Sequence, residues 1–285
     1  MTADPTERIA LVLGAGGARG LAQIGVIEAM EARGLAIAAV AGSSSGALVG
    51  GFYAAGRLAA LRDWLVSLTR PRMLRLLDPT MGGALFEGKR LMAALHELSG
   101  DVAIESLPID LTIVAVDLMR QREVWLRSGD LLDAIRASIS IPGLLAPHVI
   151  GGRELVDGGV LAPLPITATR LSAAHRLIAV DMHGWPQRPP TEIPLPAHAD
   201  ALASPPSLRA WRKRPHADIG VIERVARSID TMQSQVARVQ LALDPAELVI
   251  RIPRDACQFY EFWRARELIE LGRRQADKAL DAVGY

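Results

Sequence analysis

The chain has 285 residues, of which 50% are hydrophobic and 22% are charged. A chain of this length and composition can bury a sizeable core, which excludes an intrinsically disordered chain and a small protein held together by disulfides. The 32 basic side chains nearly balance the 31 acidic ones, so the formal net charge is +1 and there is no overall positive field to hold a polyanion. Nucleic acid is therefore not an expected partner.

The single cysteine and the polar first residues bear on the compartment. Cys257 excludes an intrachain disulfide and a cysteine-based metal site, which favours a reducing environment. Residues 1–8 contain two acids and a proline, unlike a secretory signal peptide, and no apolar run reaches the roughly 18 residues that span a bilayer. We expect a cytoplasmic protein, and peripheral contact with the inner face of the membrane is left open.

The first elements predict an α/β fold. The runs Ile9–Leu13 and Ile37–Ala41 are short and apolar and lead into glycine, as is typical of strands buried on both faces of a parallel sheet. A helix is predicted over residues 21–33, and a helix of small residues over about 45–55. The resulting β-α-β-α order implies parallel pairing with right-handed crossovers.

Later segments extend this sheet. Two or three helices are predicted up to Leu98, and Pro71 is expected to interrupt them. Four more strands are predicted, over residues 111–116, 123–126, 176–180 and 248–252. Helices are predicted over residues 131–138 and from about Phe259 to Ala282. Together these elements predict an α/β domain with a mostly parallel central sheet of about six strands.

Residues 185–217 are interpreted as a proline-rich insert, a loop or lid within the domain. Eight of the 18 prolines lie between Trp185 and Pro215, and their pairs exclude regular structure. Trp211 has basic neighbours there, which suits contact with an anionic membrane surface, although a solvated basic loop explains the same pattern.

An amphipathic helix of about six turns is predicted after this insert, because apolar residues recur at helical spacing from Ile222 to Val239. Packing of its apolar face on the core is the simplest interpretation. A dimer surface or a membrane-facing surface is the alternative.

Glycine is concentrated near the start of the chain, with eleven residues between Gly14 and Gly56 and 14 in all the rest. Residues 14–20 read Gly-Ala-Gly-Gly-Ala-Arg-Gly between a predicted strand and helix, where glycines let backbone N–H groups converge on an anion. A dinucleotide-binding loop would need glycine instead of Arg19 and an acid after the second strand, where Ala41 and Gly42 stand. A nucleotide site is therefore disfavoured, and a purely structural turn is the remaining alternative.

Residues 42–46 read Gly-Ser-Ser-Ser-Gly, a G-x-S-x-G motif between a buried strand and a helix. In that context the motif predicts a sharp turn whose middle residue, Ser44, is a nucleophile. An ordinary α/β-hydrolase builds several strands before this turn and uses a late histidine as base. Here only one strand precedes the motif strand, and none of the six histidines lies in a suitable late loop. The general base is therefore expected to be another residue.

A third segment reads Glu-Leu-Val-Asp-Gly-Gly over residues 154–159 and places Asp157 at a predicted strand end. Alone it is typical of an ordinary turn. The glycine-rich loop, the early G-x-S-x-G and Asp157 about 110 residues later together resemble the patatin-like phospholipase family. More narrowly they resemble its bacterial branch, which is similar to the catalytic domains of neuropathy target esterase-type proteins. Residues 136–143 look like the family's segment before the Asp loop, and Ala15 departs from relatives that carry another glycine.

The resemblance, which covers nearly the whole chain, implies a single domain over residues 1–285 with a three-layer α/β/α patatin-like fold. It implies a serine lipid acyl hydrolase of the phospholipase, lysophospholipase or carboxylesterase type, with a dyad of Ser44 and Asp157 and no metal or cofactor. The oxyanion hole would be the glycine-rich loop, namely Gly16, Gly17, Ala18 and Arg19. The first three would donate backbone N–H groups, and Arg19 would brace the loop or meet a lipid head group.

Two other functions stay open: a lipid transacylase with the same dyad, and a non-catalytic scaffold that binds acyl lipids.

As a base, Asp157 would have to accept the proton of Ser44, and apolar surroundings that raise its pKa would help. Its neighbours at 155, 156, 160 and 161 are apolar. The oligomeric state and the preferred head group and acyl chain are not predicted.

Overall fold

The computed structural model describes residues 8–80, 84–170, 172–174, 176–187 and 221–285. In this part of the chain the strands are β1 Arg8–Leu13, β2 Ala36–Ser43, β3 Asp110–Asp117, β4 Arg122–Leu126, β5 His148–Ile150, β6 Arg153–Asp157, β7 Arg176–Gly184 and β8 Leu248–Pro253. The α-helices are α1 Ala22–Ala32, α2 Ser45–Ala54, α3 Leu58–Ser67, α4 Arg70–Leu76, α5 Lys89–Ser99, α6 Leu131–Ser138, α7 Val221–Leu243 and α8 Ala265–Val283.

The strands form one sheet in the order β5-β6-β3-β2-β1-β7-β8, and β4 also pairs with β3. The neighbours from β3 to β8 pair in parallel, whereas β4, β5 and β6 add antiparallel pairs at one end. The predicted mostly parallel sheet is confirmed. The part of the chain that the structure describes has eight strands where about six were predicted. The three-residue strand β5 was not expected, and β6 was expected only as a strand end at Asp157.

Helices cover both faces of the sheet, as β1 shows most clearly. Leu11 and Leu13 face a large core that includes α1, α2 and α8. Val12 points the other way, into a second cluster with Leu164 and with Ala237 of α7. A strand buried on both faces in this way accounts for the uninterrupted apolar run of β1, and the arrangement has three layers, α/β/α.

Helices α1 and α8 approach each other closely through two glycines. A Cβ on Gly25 would lie 1.9 Å from the carbonyl oxygen of Ile269, and one on Gly272 would lie 1.8 Å from that of Ala22. Each glycine thus makes room for the backbone of the other helix, which no larger residue allows. Because α1 follows the glycine-rich loop directly, this contact fixes the direction in which the loop leaves β1.

Pro71 was expected to interrupt the early helices. The interruption lies before it, between the end of α3 at Ser67 and the start of α4 at Arg70. Pro71 lies in the first turn of α4, where Thr69 caps the helix by accepting a hydrogen bond from the Arg72 N–H. A missing N–H costs little at this position because the first turn has no intrahelical acceptor for it. Pro71 therefore begins a helix.

The proline-rich insert expected at 185–217 lies outside the described residues from position 188 onward, and so does Trp211. The amphipathic helix predicted after it is confirmed as α7. Among the helices that the structure describes, none combines the length and apolar character that crossing a bilayer demands.

Candidate active site

Ser44 occupies a strained turn between β2 and α2. Its backbone has φ 55° and ψ −121°, and a positive φ is a conformation that non-glycine residues seldom adopt. The flanking glycines permit the turn, since a Cβ on Gly46 would lie 2.0 Å from the Leu13 carbonyl oxygen and one on Gly42 would lie 2.5 Å from that of Gly46. The turn directs the Ser44 hydroxyl out of the sheet at the first turn of α2, as the G-x-S-x-G motif predicts.

Asp157 is brought to Ser44 by the pairing of β3 with two different strands. Val114 of β3 pairs with Ser43 at the end of β2, and the next residue, Ala115, pairs with Asp157 at the end of β6. The two strand ends therefore meet side by side although their residues are 113 positions apart. The Ser44 Oγ donates a hydrogen bond of 2.6 Å to the Asp157 Oδ2.

The carboxylate of Asp157 is held in place and desolvated. Its Oδ1 accepts a hydrogen bond of 2.7 Å from the Gly159 N–H, which caps the short turn after β6. Burial raises the pKa of Asp157 to about 6, against the opposing effect of the hydrogen bonds from Ser44 and Gly159. The group is thus mostly ionised at neutral pH and is a stronger base than an exposed aspartate, whose pKa is about 4.

Ser138 supports the turn at Ser44 from beneath. Its Oγ accepts a hydrogen bond of 2.9 Å from the Ser44 N–H and donates one of 2.6 Å to the Val114 carbonyl. The strained turn is thereby tied to β3, the same strand that positions Asp157. This support was missed by sequence reasoning, because nothing in the spacing of residues 136–143 indicates a partner 94 positions earlier.

The amides of the glycine-rich loop divide into two groups. The Ala18 N–H donates to the Phe259 carbonyl at 2.8 Å, and the Arg19 N–H donates to the Gly16 carbonyl at 3.2 Å. Ala18 is fully buried and does not line the cavity at Ser44. The amides of Gly16 and Gly17 have no acceptor among the described residues, and both glycines line that cavity with Ser44.

Glycine is required at both of these positions. Gly17 has φ +55°, and a Cβ there would lie 2.6 Å from the Phe259 carbonyl oxygen. A Cβ on Gly16 would lie 2.6 Å from the Met182 Cγ. The loop is therefore packed closely against β7 and against the segment that follows β8.

Arg19 is a buried brace for this loop. Its guanidinium donates to the Asp230 carboxylate of α7, to the Arg254 carbonyl at 3.1 Å and to the Gly16 carbonyl at 3.3 Å. Of the two roles expected for Arg19, these contacts match the bracing of the loop. Asp230, Arg254 and Phe259 were missed by sequence reasoning, because only the tertiary structure brings them to the loop.

A largely apolar cavity of about 570 Å³ opens beside Ser44 and Asp157. Its volume lies in the range of small-molecule sites. The glycine-rich loop and the two candidate catalytic side chains form its floor, and Phe259 and residues of α7 line its walls. The described residues hold no group of three or more His, Cys, Asp or Glu side chains that could bind a metal.

Comparison with known proteins adds independent observations. The family model described as patatin-like phospholipase matches residues 11–170. An uncharacterized NTE family protein of Mycobacterium tuberculosis is 39% identical over 97% of this chain and 92% of its own length. The human patatin-like phospholipase domain-containing protein 6 is 33% identical and lysophospholipase nte1 of Emericella nidulans 30% identical, each over 61% of this chain. These two matches cover only 13% and 12% of those longer proteins.

Proposed function

The chain belongs to the patatin-like phospholipase family, and from that premise we propose that it hydrolyses acyl esters of lipids with Ser44 as nucleophile and Asp157 as its base. The observation that carries this proposal is the hydrogen bond of 2.6 Å from the Ser44 Oγ to the Asp157 Oδ2. A nucleophile and base within hydrogen-bond reach, at the floor of an apolar cavity, are the arrangement that acyl transfer through a covalent intermediate requires.

In the first half of the proposed reaction, the Ser44 Oγ attacks the ester carbonyl carbon while its proton passes to the Asp157 Oδ2. The negative charge that develops on the carbonyl oxygen is received by the amides of Gly16 and Gly17, which have no acceptor among the described residues. The C–O bond to the alcohol then breaks, Asp157 returns the proton to the departing oxygen, and the acyl group stays on Ser44.

In the second half, water replaces the alcohol. Asp157 takes a proton from the attacking water, the tetrahedral intermediate forms in the same oxyanion hole, and Ser44 leaves with the proton held by Asp157. The products are a free fatty acid and the regenerated dyad. Amide donors held in place before the reaction usually account for the largest single part of such a rate enhancement. Removal of one donor lowers kcat roughly a hundredfold to a thousandfold.

The size and lining of the cavity suit the binding of a single acyl chain while Ser44 attacks the ester. Its volume of about 570 Å³ and apolar walls suit one elongated apolar ligand, while the head group would face the opening. We therefore propose lysophospholipids, phospholipids or simpler carboxylic esters as substrates.

The proposal is tested by product analysis on a panel of lipid esters that vary in head group, acyl length and acyl position. We expect free fatty acid from the parent chain, no release from the Ser44→Ala variant, and no acylated product when an added monoacylglycerol is offered as acceptor. Acyl transfer to that acceptor would identify a transacylase instead. A chain that releases no acid from any ester and leaves Ser44 unlabelled by a fluorophosphonate would be a binding scaffold.

The rate is expected to follow the ionisation of Asp157. Because the pKa of Asp157 is about 6, kcat/KM for a neutral, water-soluble ester should rise about tenfold per pH unit below that value and level off above it. Protonation of Asp157 favours the folded state, since its pKa is raised on folding, so this group does not cause unfolding at the acid end. A pH–rate profile between pH 4.5 and 8 measures this, and a rate that stays flat across that range would rule out Asp157 as the base.

A further inference from the structure

Helix α7 carries a stripe of exposed apolar side chains along its outer face. Val225, Met232, Val239 and Leu243 are each more than half exposed. Their spacing of seven, seven and four residues places them on one face of the helix. From Val225 to Val239 the stripe is about 21 Å long at 1.5 Å per residue. We call these four residues the α7 stripe.

The α7 stripe is continuous with the cavity at Ser44. Val225 and Met232 both line that cavity while remaining largely exposed. Leu85, nearly half exposed, belongs to the same cavity lining. The cavity mouth is thus bordered by large apolar side chains, and the apolar surface extends from it along the helix.

Basic side chains adjoin the stripe. Arg224 and Arg238 are exposed on the neighbouring face of α7, and the guanidinium of Arg238 lies 5.9 Å from the ring centre of the exposed Trp185. Among the described side chains of this helix only Asp230 is acidic, and it is engaged by Arg19. The outer face of α7 therefore combines apolar and cationic groups, as helices at anionic lipid surfaces do.

The inner face of α7 packs against the core, so the α7 stripe is a second apolar face of this helix. Ala237 is buried in the cluster formed by Val12 and Leu164. The Gln240 side chain accepts a hydrogen bond from the Leu164 N–H at 3.2 Å and donates one to the Leu161 carbonyl at 3.3 Å. The helix thus already buries one apolar face and presents a second one.

We propose that the α7 stripe, with its adjoining arginines, docks the protein on the surface of an anionic lipid aggregate and so places the cavity mouth against it. This inference rests on the proposed function, since it takes the cavity to be the acyl site. A second copy of the chain fits the surface less well, because two-fold pairing along the stripe would bring the arginines of both copies to one interface.

The apolar part of the proposal is tested with the double variant V239S/L243S, whose positions lie outside the cavity lining. Its matched control is L74S/V283S, which removes one exposed leucine and one exposed valine from α4 and α8. All proteins carry Ser44→Ala and are sedimented with vesicles of non-hydrolysable diether lipids, either pure phosphatidylcholine or a mixture with phosphatidylglycerol. We expect V239S/L243S to lower the partition coefficient on the mixed vesicles about tenfold or more, since each CH₂ withdrawn from lipid costs about 0.8 kcal/mol, and the control to bind as the parent does.

The basic part is tested with R224Q/R238Q on the same vesicles. Each arginine near an anionic surface contributes about 1 kcal/mol, so binding to mixed vesicles should weaken about fivefold per residue, and less as salt is added. Binding to pure phosphatidylcholine should be unchanged. Undiminished binding of V239S/L243S, or an equal loss in its control, overturns the proposal. A parent dimer that V239S/L243S converts to monomer in sedimentation velocity also overturns it.

Activity measurements with an intact Ser44 separate this inference from the proposed function. V239S/L243S should hydrolyse a dispersed short-chain ester as fast as the parent and a vesicle-bound lipid ester more slowly. Equal rates on vesicle-bound lipid would contradict the docking surface while leaving hydrolysis established. If no ester is hydrolysed but vesicle binding depends on the stripe, then the proposed function is contradicted and the docking surface stands.

Discussion

Replacement of Ser44 by alanine or of Asp157 by asparagine is expected to lower kcat for lipid ester hydrolysis by about 10⁴-fold or more, the size of loss seen when a nucleophile or its base is removed. Ser44→Ala leaves no atom to form the acyl-enzyme. Asp157→Asn preserves the size of the side chain that receives the Ser44 hydrogen bond of 2.6 Å but cannot accept a proton. Steady-state rates on one lipid ester, with fluorophosphonate labelling of Ser44 in the parent, measure both losses.

The neighbouring serine provides a matched control. The Ser45 Oγ is buried and has no hydrogen-bond partner among the described residues, so Ser45→Ala should retain the parent rate. Full activity in Asp157→Asn, or an equal loss in Ser45→Ala and Ser44→Ala, would contradict the dyad.

Thermal unfolding shows whether the inactive variants are folded. The pKa of Asp157 rises from about 4 in the unfolded chain to about 6 on folding, so its carboxylate lowers stability as the pH rises through this interval. Asp157→Asn removes that cost and should be at least as stable as the parent at pH 8. A lower Tm in this variant would mean that its loss of activity results from damage to the fold.

The second large effect concerns stability. Gly25→Ala and Gly272→Ala should each destabilise the protein by about 1–3 kcal/mol, because the added methyl group would lie 1.9 Å or 1.8 Å from a carbonyl oxygen of the facing helix. Alanine favours a helix by up to about 1 kcal/mol over glycine, but α1 and α8 would have to move apart to admit it. For a chain of this size the expected loss in Tm is about 2–4 °C per kcal/mol.

An exposed position on the same helix controls for effects of alanine itself. Lys278 lies on the solvent side of α8, and Lys278→Ala should change stability by no more than about 0.5 kcal/mol. Differential scanning calorimetry of the three variants makes the comparison. An unchanged Tm in both glycine variants would contradict the close contact of α1 with α8.

Prediction from sequence worked best where a local pattern has a single physical interpretation. The buried strands β1 and β2 are continuous apolar runs, and the turn at Ser44 has glycines at the two positions where a Cβ would meet backbone. The helix after the proline-rich insert follows from its 3.6-residue periodicity. Each of these features depends on residues that lie within one or two turns of each other.

Features that depend on distant pairing were not accessible. The strand β5 is too short to be recognised, and the strand end expected at Asp157 did not indicate that β6 pairs with β3 and so carries Asp157 to Ser44. The contact of Ser138 with the Ser44 N–H and the division of the loop amides depend on tertiary packing. Periodicity likewise predicted the apolar positions of α7 but not which of them face the cavity and which face outward.

The bracing of the glycine-rich loop has a consequence for how the protein acquires its activity. Arg19 is tied to Asp230 and to Arg254 across separations of 211 and 235 residues, and Gly17 and Ala18 rest on Phe259. Contacts over such long stretches of chain are slow to form, because loop closure must precede them. We therefore expect the glycine-rich loop to reach its final shape late in folding, after the local helices and the β1–β2 unit, so that activity of the proposed site depends on its most distant partners.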